Sequence, residues 1–457
     1  MQLNKPKITV YITNYNYGKY IKKAIESVLI QTETDNEIII IDDGSNDDSK
    51  SIIETYRNHK NIKIVMQQNK GLTVSNNLAL KLSRGKYIMR LDADDYLTKD
   101  ALKNLASVLD RKTNVGMVFG DYYLIDEQNN ILEHFQRHDF NNDVELLDQP
   151  AHGACTMFRT RCLKQLGGYD ESISRQDGYE LWLRFIERYE VSNISVPIFY
   201  YRQHGKNLTS KEDVLLDTRT EILSNHLKKK GRSQPKGIAI LPIRGTTFDN
   251  RSLPFSKVGD KTLIANTIEF LFGLSTIDIV ILTCPEKKVI DYANDIWGEK
   301  ISIIQRPKNL AYINSPLEPV IEHALANTNI NRDYDFFMIS SIELPFKKAK
   351  IMESGANIMK IFGADTVVGV RPEEDLLLNH NGKGMQFLSK QGQFRLERNE
   401  LFKMVPGYLI RDYNSFLISR KLFGNTIGHV MFDELSAFRI KNDLDCEIAN
   451  FLLDKIK

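Results

Sequence analysis

Apolar positions along the first ninety residues switch between two spacings. Ile8 to Thr13 is a β-rich run, and behind it Ile21, Ala24, Ile25, Val28 and Leu29 recur at the intervals that share one helical face. A second apolar run, Glu37 to Ile41, stops at Asp42-Asp43-Gly44-Ser45, where glycine and serine mark a loop. The pattern then predicts a helix from Ser49 to Tyr56, a strand from Ile62 to Met66, a helix from Leu72 to Leu82 and a strand from Tyr87 to Leu91. Strands and helices alternating over short links imply a mainly parallel, doubly wound sheet. Such sheets bind ligands outside the carboxyl ends of their strands, and three polar clusters fall at those ends: Thr13-Asn14-Tyr15, Asp42-Asp43 and Asp92 to Asp95. These clusters are expected to converge in space.

The alternation is interrupted at Lys228-Lys229-Lys230-Gly231-Arg232-Ser233-Gln234-Pro235-Lys236, which reads as an exposed linker. It restarts with a strand from Ile238 to Pro242, a helix from Leu263 to Phe272 and a strand from Ile277 to Thr283. The expected organisation is therefore α/β throughout, as two doubly wound nucleotide-binding-type domains: residues 1–227, a linker at 228–236, and residues 237–457. A chain of 457 residues is longer than one ordinary core, which agrees with two domains.

Charge narrows the partners. Lys and Arg number 61 against 59 acidic residues, so no global field recruits nucleic acid or a membrane, and a charged ligand must be caught locally. Cys155, Cys162, Cys284 and Cys446 show no CxxC spacing, which suits reduced thiols rather than a disulfide framework or a structural zinc site. The polar start, Met1 to Lys7, leads straight into a strand-like run, and no apolar segment approaches the roughly 20 residues that span a bilayer. The reading is a cytoplasmic protein, with a surface patch sufficing for peripheral contact at the inner face of the membrane.

A transferase that breaks a sugar-diphosphate bond must stabilise charge gathering on the leaving diphosphate. Hard carboxylate oxygens holding Mg²⁺ or Mn²⁺ do this. Leu91-Asp92-Ala93-Asp94-Asp95 crowds carboxylates at a strand end, with Asp92 and Asp94 pointing the same way if the strand persists. Alone, such a triplet also fits an acidic surface loop. Its context is more specific: Ile8 to Asn16, Ile41-Asp42-Asp43-Gly44-Ser45, Asn69-Lys70-Gly71, and Gly85-Lys86-Tyr87 leading into Asp92-Ala93-Asp94-Asp95. In this order and spacing the motifs closely resemble family 2 glycosyltransferases, over roughly residues 5 to 215.

The resemblance implies a metal-dependent, inverting enzyme of the GT-A type that takes a nucleotide-sugar donor. By it, Thr13 and Tyr15 line the nucleotide base, with the Tyr15 ring as a stacking platform, and Asp43 accepts a hydrogen bond from the base. Asp92 joins the nucleotide-sugar site and Asp94 is a metal ligand. An ionised carboxylate only accepts hydrogen bonds, so Asp43 suits the N3–H of uracil and opposes cytosine, favouring a UDP-sugar. The competing readings are a local turn in the Gly44-Ser45 loop for Asp43 and a packed core ring for Tyr15. The family's Ala-Arg-Asn is Ser75-Asn76-Asn77 here, so one donor-side arginine is missing.

On the acceptor side, Gly167-Gly168-Tyr169-Asp170-Glu171 and Arg175-Gln176-Asp177-Gly178-Tyr179 are similar to the family's region before an aromatic-rich helix. Asp177 is thereby the general base that takes the acceptor hydroxyl's proton, a role compatible with capping the following helix. Asp170 and Glu180 read as surface or helix charges. Tyr200-Tyr201-Arg202-Gln203-His204 resembles the family's Tyr-Arg-x-His tail, in which the histidine completes the metal's coordination; a structural histidine is the alternative for His204.

Residues 237–457 resemble acylneuraminate cytidylyltransferases, through Leu241-Pro242-Ile243-Arg244-Gly245, Leu263 to Glu269, Ser315-Pro316-Leu317-Glu318, Leu344-Pro345-Phe346 and Asp443 to Ala449. Phe248 and Leu253 stand where that family places lysines for the triphosphate. Arg439 and Lys441 stand where it places two metal-binding aspartates, and two cations cannot hold a third. The second domain is thus expected to be a degenerate, non-catalytic relative. A shifted alignment would recruit Asp443 and Asp445 instead, and the chain would then be bifunctional. The whole-chain expectation is transfer from a UDP-sugar to a glycan or lipid-linked acceptor in cell-surface polysaccharide synthesis.

Overall fold

The computed structural model describes residues 5–135, 153–173, 175–204, 212–245, 247, 249, 252–312, 315–330, 333–373, 375, 377–380, 385–387 and 401–456. Two compact units part between residues 211 and 212, with residues 379–398 counted to the first. The helix Glu212–Lys229 falls in the second unit, whereas the sequence reading placed it ahead of the linker in the first domain.

The first unit opens as the periodicity dictates: β1 (Ile8–Asn14), α1 (Gly18–Leu29), β2 (Asn36–Asp42), α2 (Ser49–Glu54), β3 (Ile62–Met66), α3 (Leu72–Leu82) and β4 (Tyr87–Asp92). Ile21, Ala24, Ile25 and Val28 of α1 are fully buried, the isoleucines and the valine each being worth about 1.5–3 kcal/mol over exposure. β5 (Tyr96–Leu97), α4 (Ala101–Arg111), β6 (Val115–Ile125), β7 (Ile131–Phe135), β8 (Met157–Arg159), α5 (Thr160–Gln165), α6 (Asp177–Ile186) and β9 (Glu190–Arg202) follow.

The sheet runs β3-β2-β1-β4-β8-β6-β9-β5, with β7 beside β6. Pairing is parallel across β3-β2-β1-β4, as expected of a doubly wound sheet, and ceases to be so at β8, which lies antiparallel to both β4 and β6. The unit is therefore α/β with a mixed sheet. β6 and β7 are joined by a short hairpin, which only antiparallel strands allow. Register places Asn14 opposite Asp42 and Thr13 opposite Asp92, so the carboxyl ends of β1, β2 and β4 lie side by side.

The second unit is also α/β and mixed. Its strands run Ser302–Gln305, Ile277–Cys284, Gly237–Pro242, Phe336–Ser340, Leu401–Asp412, Thr366–Glu373 and Ile427–Met431, with Leu401–Asp412 antiparallel to both neighbours. Strand alternation sends Ile238 and Ile240 to one buried cluster and Ala239 and Leu241 to another, so both sheet faces are covered. All four cysteines are free and buried. No helix among the described residues is long and apolar enough to cross a membrane.

Candidate active site

The loops after β1 and β2 are tied together by buried polar contacts. Asp42 accepts from Asn14 Nδ2 at 2.8 Å and from the Ser45 backbone N–H at 2.9 Å, while Ser45 Oγ accepts from Asn14 Nδ2 and the Asn16 N–H. Asn16 turns the chain in the left-handed region at φ 59°, which asparagine tolerates. The local turn weighed for Asp43 is thus made by Asp42. Asp43 reaches further, accepting from Gln67 Nε2 at 2.7 Å and from the backbone N–H groups of Lys70 and Gly71 at 2.9 and 2.8 Å. A carboxylate in front of the first turn of α3 is favoured by the unpaired N–H groups there. Tyr15 stands 44% exposed at the same rim, which excludes the packed-core alternative for its ring.

At the end of β4 the strand does not persist through the acidic run. It stops at Asp92, and Asp95 N–H closes a turn onto the Asp92 carbonyl, so Asp94 is delivered by a turn rather than by strand alternation. Asp92 faces Thr13, whose Oγ1 lies 3.4 Å away. Asp94 Oδ2 is 3.0 Å from His204 Nε2, and both side chains are largely buried. The His204 ring stacks on Tyr20 at 5.9 Å between centroids and tilts against Tyr17. Arg202, two residues earlier, fixes this segment: its backbone N–H donates to Asp95, its Nε to the Asp94 carbonyl, and its remaining nitrogens to the 126–129 turn.

Three carboxylates crowd this turn. Burial, then the charges of Asp94 and Asp92, push Asp95 well above the usual carboxylate range. Burial followed by Asp94, Asp92 and Asp95 likewise drives the Tyr17 phenol up. Asp95 Oδ2 is buried without a hydrogen-bond partner among the described residues. Arg90 and Arg202 offset part of this negative charge, and a divalent ion would offset more. Among the described residues no group of three or more His, Cys, Asp and Glu side chains forms a closed cage. One carboxylate and one imidazole would fit Mn²⁺ better than Mg²⁺, which prefers oxygen ligands, with diphosphate oxygens and water left to fill the remaining positions.

Across the cleft floor, Asp177 is the first residue of α6, and Gln176 before it adopts φ 57°. Its side chain does not cap the helix. Oδ2 accepts from Arg90 Nη1 at 2.6 Å and from Asn76 Nδ2 at 3.0 Å. Arg90 also meets Asp92, with Nε 2.9 Å from Oδ1 and Nη2 3.3 Å from Oδ2. Burial opposes the Arg90 charge, but Asp177 and Asp92 more than offset it and hold the guanidinium firmly protonated. Burial raises Asp92, countered by Arg90. The sequence reading missed Arg90; its only signal is a cation inside the otherwise apolar strand Tyr87–Leu91. Asn77 brackets the backbone of Tyr169, whose phenol, pushed up to about 12 chiefly by burial, meets Tyr11. Asp170 closes a turn onto Ser172, and Glu180 pairs with Arg184.

In the second unit, Arg439 pairs with Glu343, and Asp445 accepts from the Lys441 backbone N–H. Arg244 pairs with Asp249 at 3.3 Å, and Leu253 packs against the core. Phe248 lies outside the described residues.

Residues 9–167 match the family model "Glycosyl transferase family 2". The chain is 31% identical to a chondroitin synthase of Escherichia coli over 228 residues, half of this chain and 33% of that protein. It is 32% identical to an uncharacterized glycosyltransferase of Methanocaldococcus jannaschii over 193 residues, 40% of this chain and 66% of that one. Among solved structures, S. aureus TarS 1-349 in complex with UDP-GlcNAc is similar at 22% identity and a TM-score of 0.42, covering 48% of this chain and 66% of that one. The chain thus spans about a third of the length of the first of these relatives and two thirds of the second. The N-terminal segment of this chain is a family 2 glycosyltransferase domain.

Proposed function

We propose that the N-terminal unit transfers a sugar, with inversion, from a UDP-sugar to a hydroxyl of a glycan or lipid-linked acceptor. The observation that carries this reading is the convergence of Asp43, Asp92, Asp94, His204 and Asp177 around the carboxyl ends of β1, β2 and β4. Tyr15 offers an exposed ring for the base, and Asp43, with three donors on a carboxylate that can take about four, keeps acceptor capacity for a uracil N3–H.

A Mg²⁺ or Mn²⁺ ion held by Asp94 and His204 would stabilise the charge of the departing diphosphate. For that, His204 Nε2 must present its lone pair, the proton residing on Nδ1. Asp177 uses the oxygen left without a donor among the described residues, Oδ1, to take the acceptor's hydroxyl proton. The hydroxyl oxygen forms the new bond to the anomeric carbon from the face opposite the diphosphate. The bond from that carbon to the diphosphate oxygen breaks, and its electron pair leaves with UDP.

The name of the E. coli relative, chondroitin synthase, supports a place in surface polysaccharide synthesis. Four buried free thiols suit the reducing cytoplasm, where peripheral contact with the inner membrane face would bring a lipid-linked acceptor within reach. The second unit serves as a non-catalytic module, as Arg439 held on Glu343 and the cation Lys441 suggest.

The test is Asp177→Asn, which keeps shape but cannot accept the proton. Turnover is expected to fall about 10²-fold or more with donor affinity nearly unchanged. Near-normal turnover would overturn the assignment.

A further inference from the structure

We infer that Arg90 is the positioning residue that aims Asp177, locking one carboxylate oxygen so that the other faces the reacting hydroxyl. The inference rests on the reading of Asp177 as the base.

Arg90 is 5% exposed, and its guanidinium lies between two carboxylates delivered by distant parts of the chain, Asp92 at the end of β4 and Asp177 at the start of α6. Its Nη1, with Asn76 Nδ2, occupies Asp177 Oδ2. A carboxylate pinned through one oxygen by two donors has its plane and its free lone pairs fixed, and the free oxygen is the proton acceptor. The chain's departure from Ala-Arg-Asn at 75–77 fits this arrangement: Asn76 supplies a neutral donor from α3, and the cation comes from β4 instead.

Two glycines make room for it. A methyl group at Gly153 would come within 3.0 Å of Arg90 Nη2, and one at Gly178 within 2.9 Å of the Gly153 Cα. Side chains at either position would crowd the guanidinium or the start of α6. The Cys155 N–H donates to the Arg90 carbonyl at 2.7 Å, anchoring the same segment to β4.

The charge balance also suits the chemistry. One cation, Arg90, stands between two carboxylates, with the phenols of Tyr11 and Tyr169, both pushed up chiefly by burial, alongside. Proton uptake by Asp177 leaves Arg90 paired with Asp92 alone, so the neutralised acid strands no buried charge.

The experiment is a double-mutant cycle on the full chain, measuring kcat, donor KM and thermal unfolding. Lysine keeps the charge but cannot fork between two carboxylates. Arg90→Lys is expected to lower kcat by about tenfold or more with donor KM within about threefold, and to cost less than about twofold when added to Asp177→Asn. Equal losses in both backgrounds, or unchanged kcat, would overturn the inference while leaving Asp177 as base. Near-normal turnover of Asp177→Asn alone would overturn both. If Arg90→Lys does not fold, Gly153→Ala moves the guanidinium with every charge kept, and the same non-additive pattern is required.

Discussion

Asp94 and His204 are 110 residues apart in sequence and 3.0 Å apart in space. Their meeting was legible only through the resemblance of Tyr200-Tyr201-Arg202-Gln203-His204 to the family's tail, which implies a shared metal. Arg90 was not, because its partners are set by where α6 docks, and no local spacing encodes that. The second unit holds a comparable surprise in Lys347, partly buried, with Nζ donating to Thr267 Oγ1 at 2.9 Å and to the Leu344 carbonyl. Burial pushes this lysine down from 10.5 to about 7. The folded value lies below the unfolded one, so between those limits the unfolded chain holds a proton that the folded chain lacks. Stability from this group therefore rises with pH across the window and its penalty is complete below it. Lys347→Met is expected to stabilise the protein at pH 7, with a gain that shrinks by roughly 3–4 kcal/mol toward pH 10. Urea unfolding of both proteins across that range reads it, and a pH-independent difference would mean that the lysine keeps its charge when folded.

At the scale of elements, periodicity located α3 and β3 to the residue and missed β1, β2 and β4 by one residue or so at their ends. β1, β2 and β4 are buried almost throughout and read as continuous apolar runs, whereas β3, at the sheet edge, is only partly buried. Sheet direction beyond β4 was not legible, since β6, β7 and β8 carry the same apolar alternation whether they pair parallel or antiparallel. The loops at the strand ends depend on single backbone conformations. Gly44 sits at φ 87°, and a Cβ there would lie 2.7 Å from the Asn69 backbone nitrogen. Gly44→Ala should therefore cost about 1–3 kcal/mol and displace the loop against which Asp43 is held. Donor KM is expected to rise by about tenfold, a loss of some 1.4 kcal/mol in binding, with the metal requirement retained. Unaltered donor KM and melting temperature would show that the Asp43 loop does not depend on this turn.

For the whole molecule, two α/β units with separate cores were expected and are found, though the helix Glu212–Lys229 belongs with the second. The proposed chemistry resides in the first. Every group proposed for donor, metal and proton transfer lies between Thr13 and His204: Thr13, Asp43 and Asp92 at strand ends that register brings together, Asp94 on the turn that follows, and Asp177 at the start of α6. In the second unit, Arg439 is held by Glu343. The central claim is thus metal-dependent transfer from a UDP-sugar by the first unit. The most direct measurement is nucleotide release by the full chain from panels of UDP-, GDP- and CMP-sugars with Mn²⁺ or Mg²⁺, repeated in excess EDTA and with Asp94→Ala. The account predicts release of UDP from at least one UDP-sugar, none from CMP-sugars, and loss of that release both in EDTA and in the variant. Release that survives chelation and the Asp94→Ala substitution, or that comes from CMP-sugars alone, would contradict it.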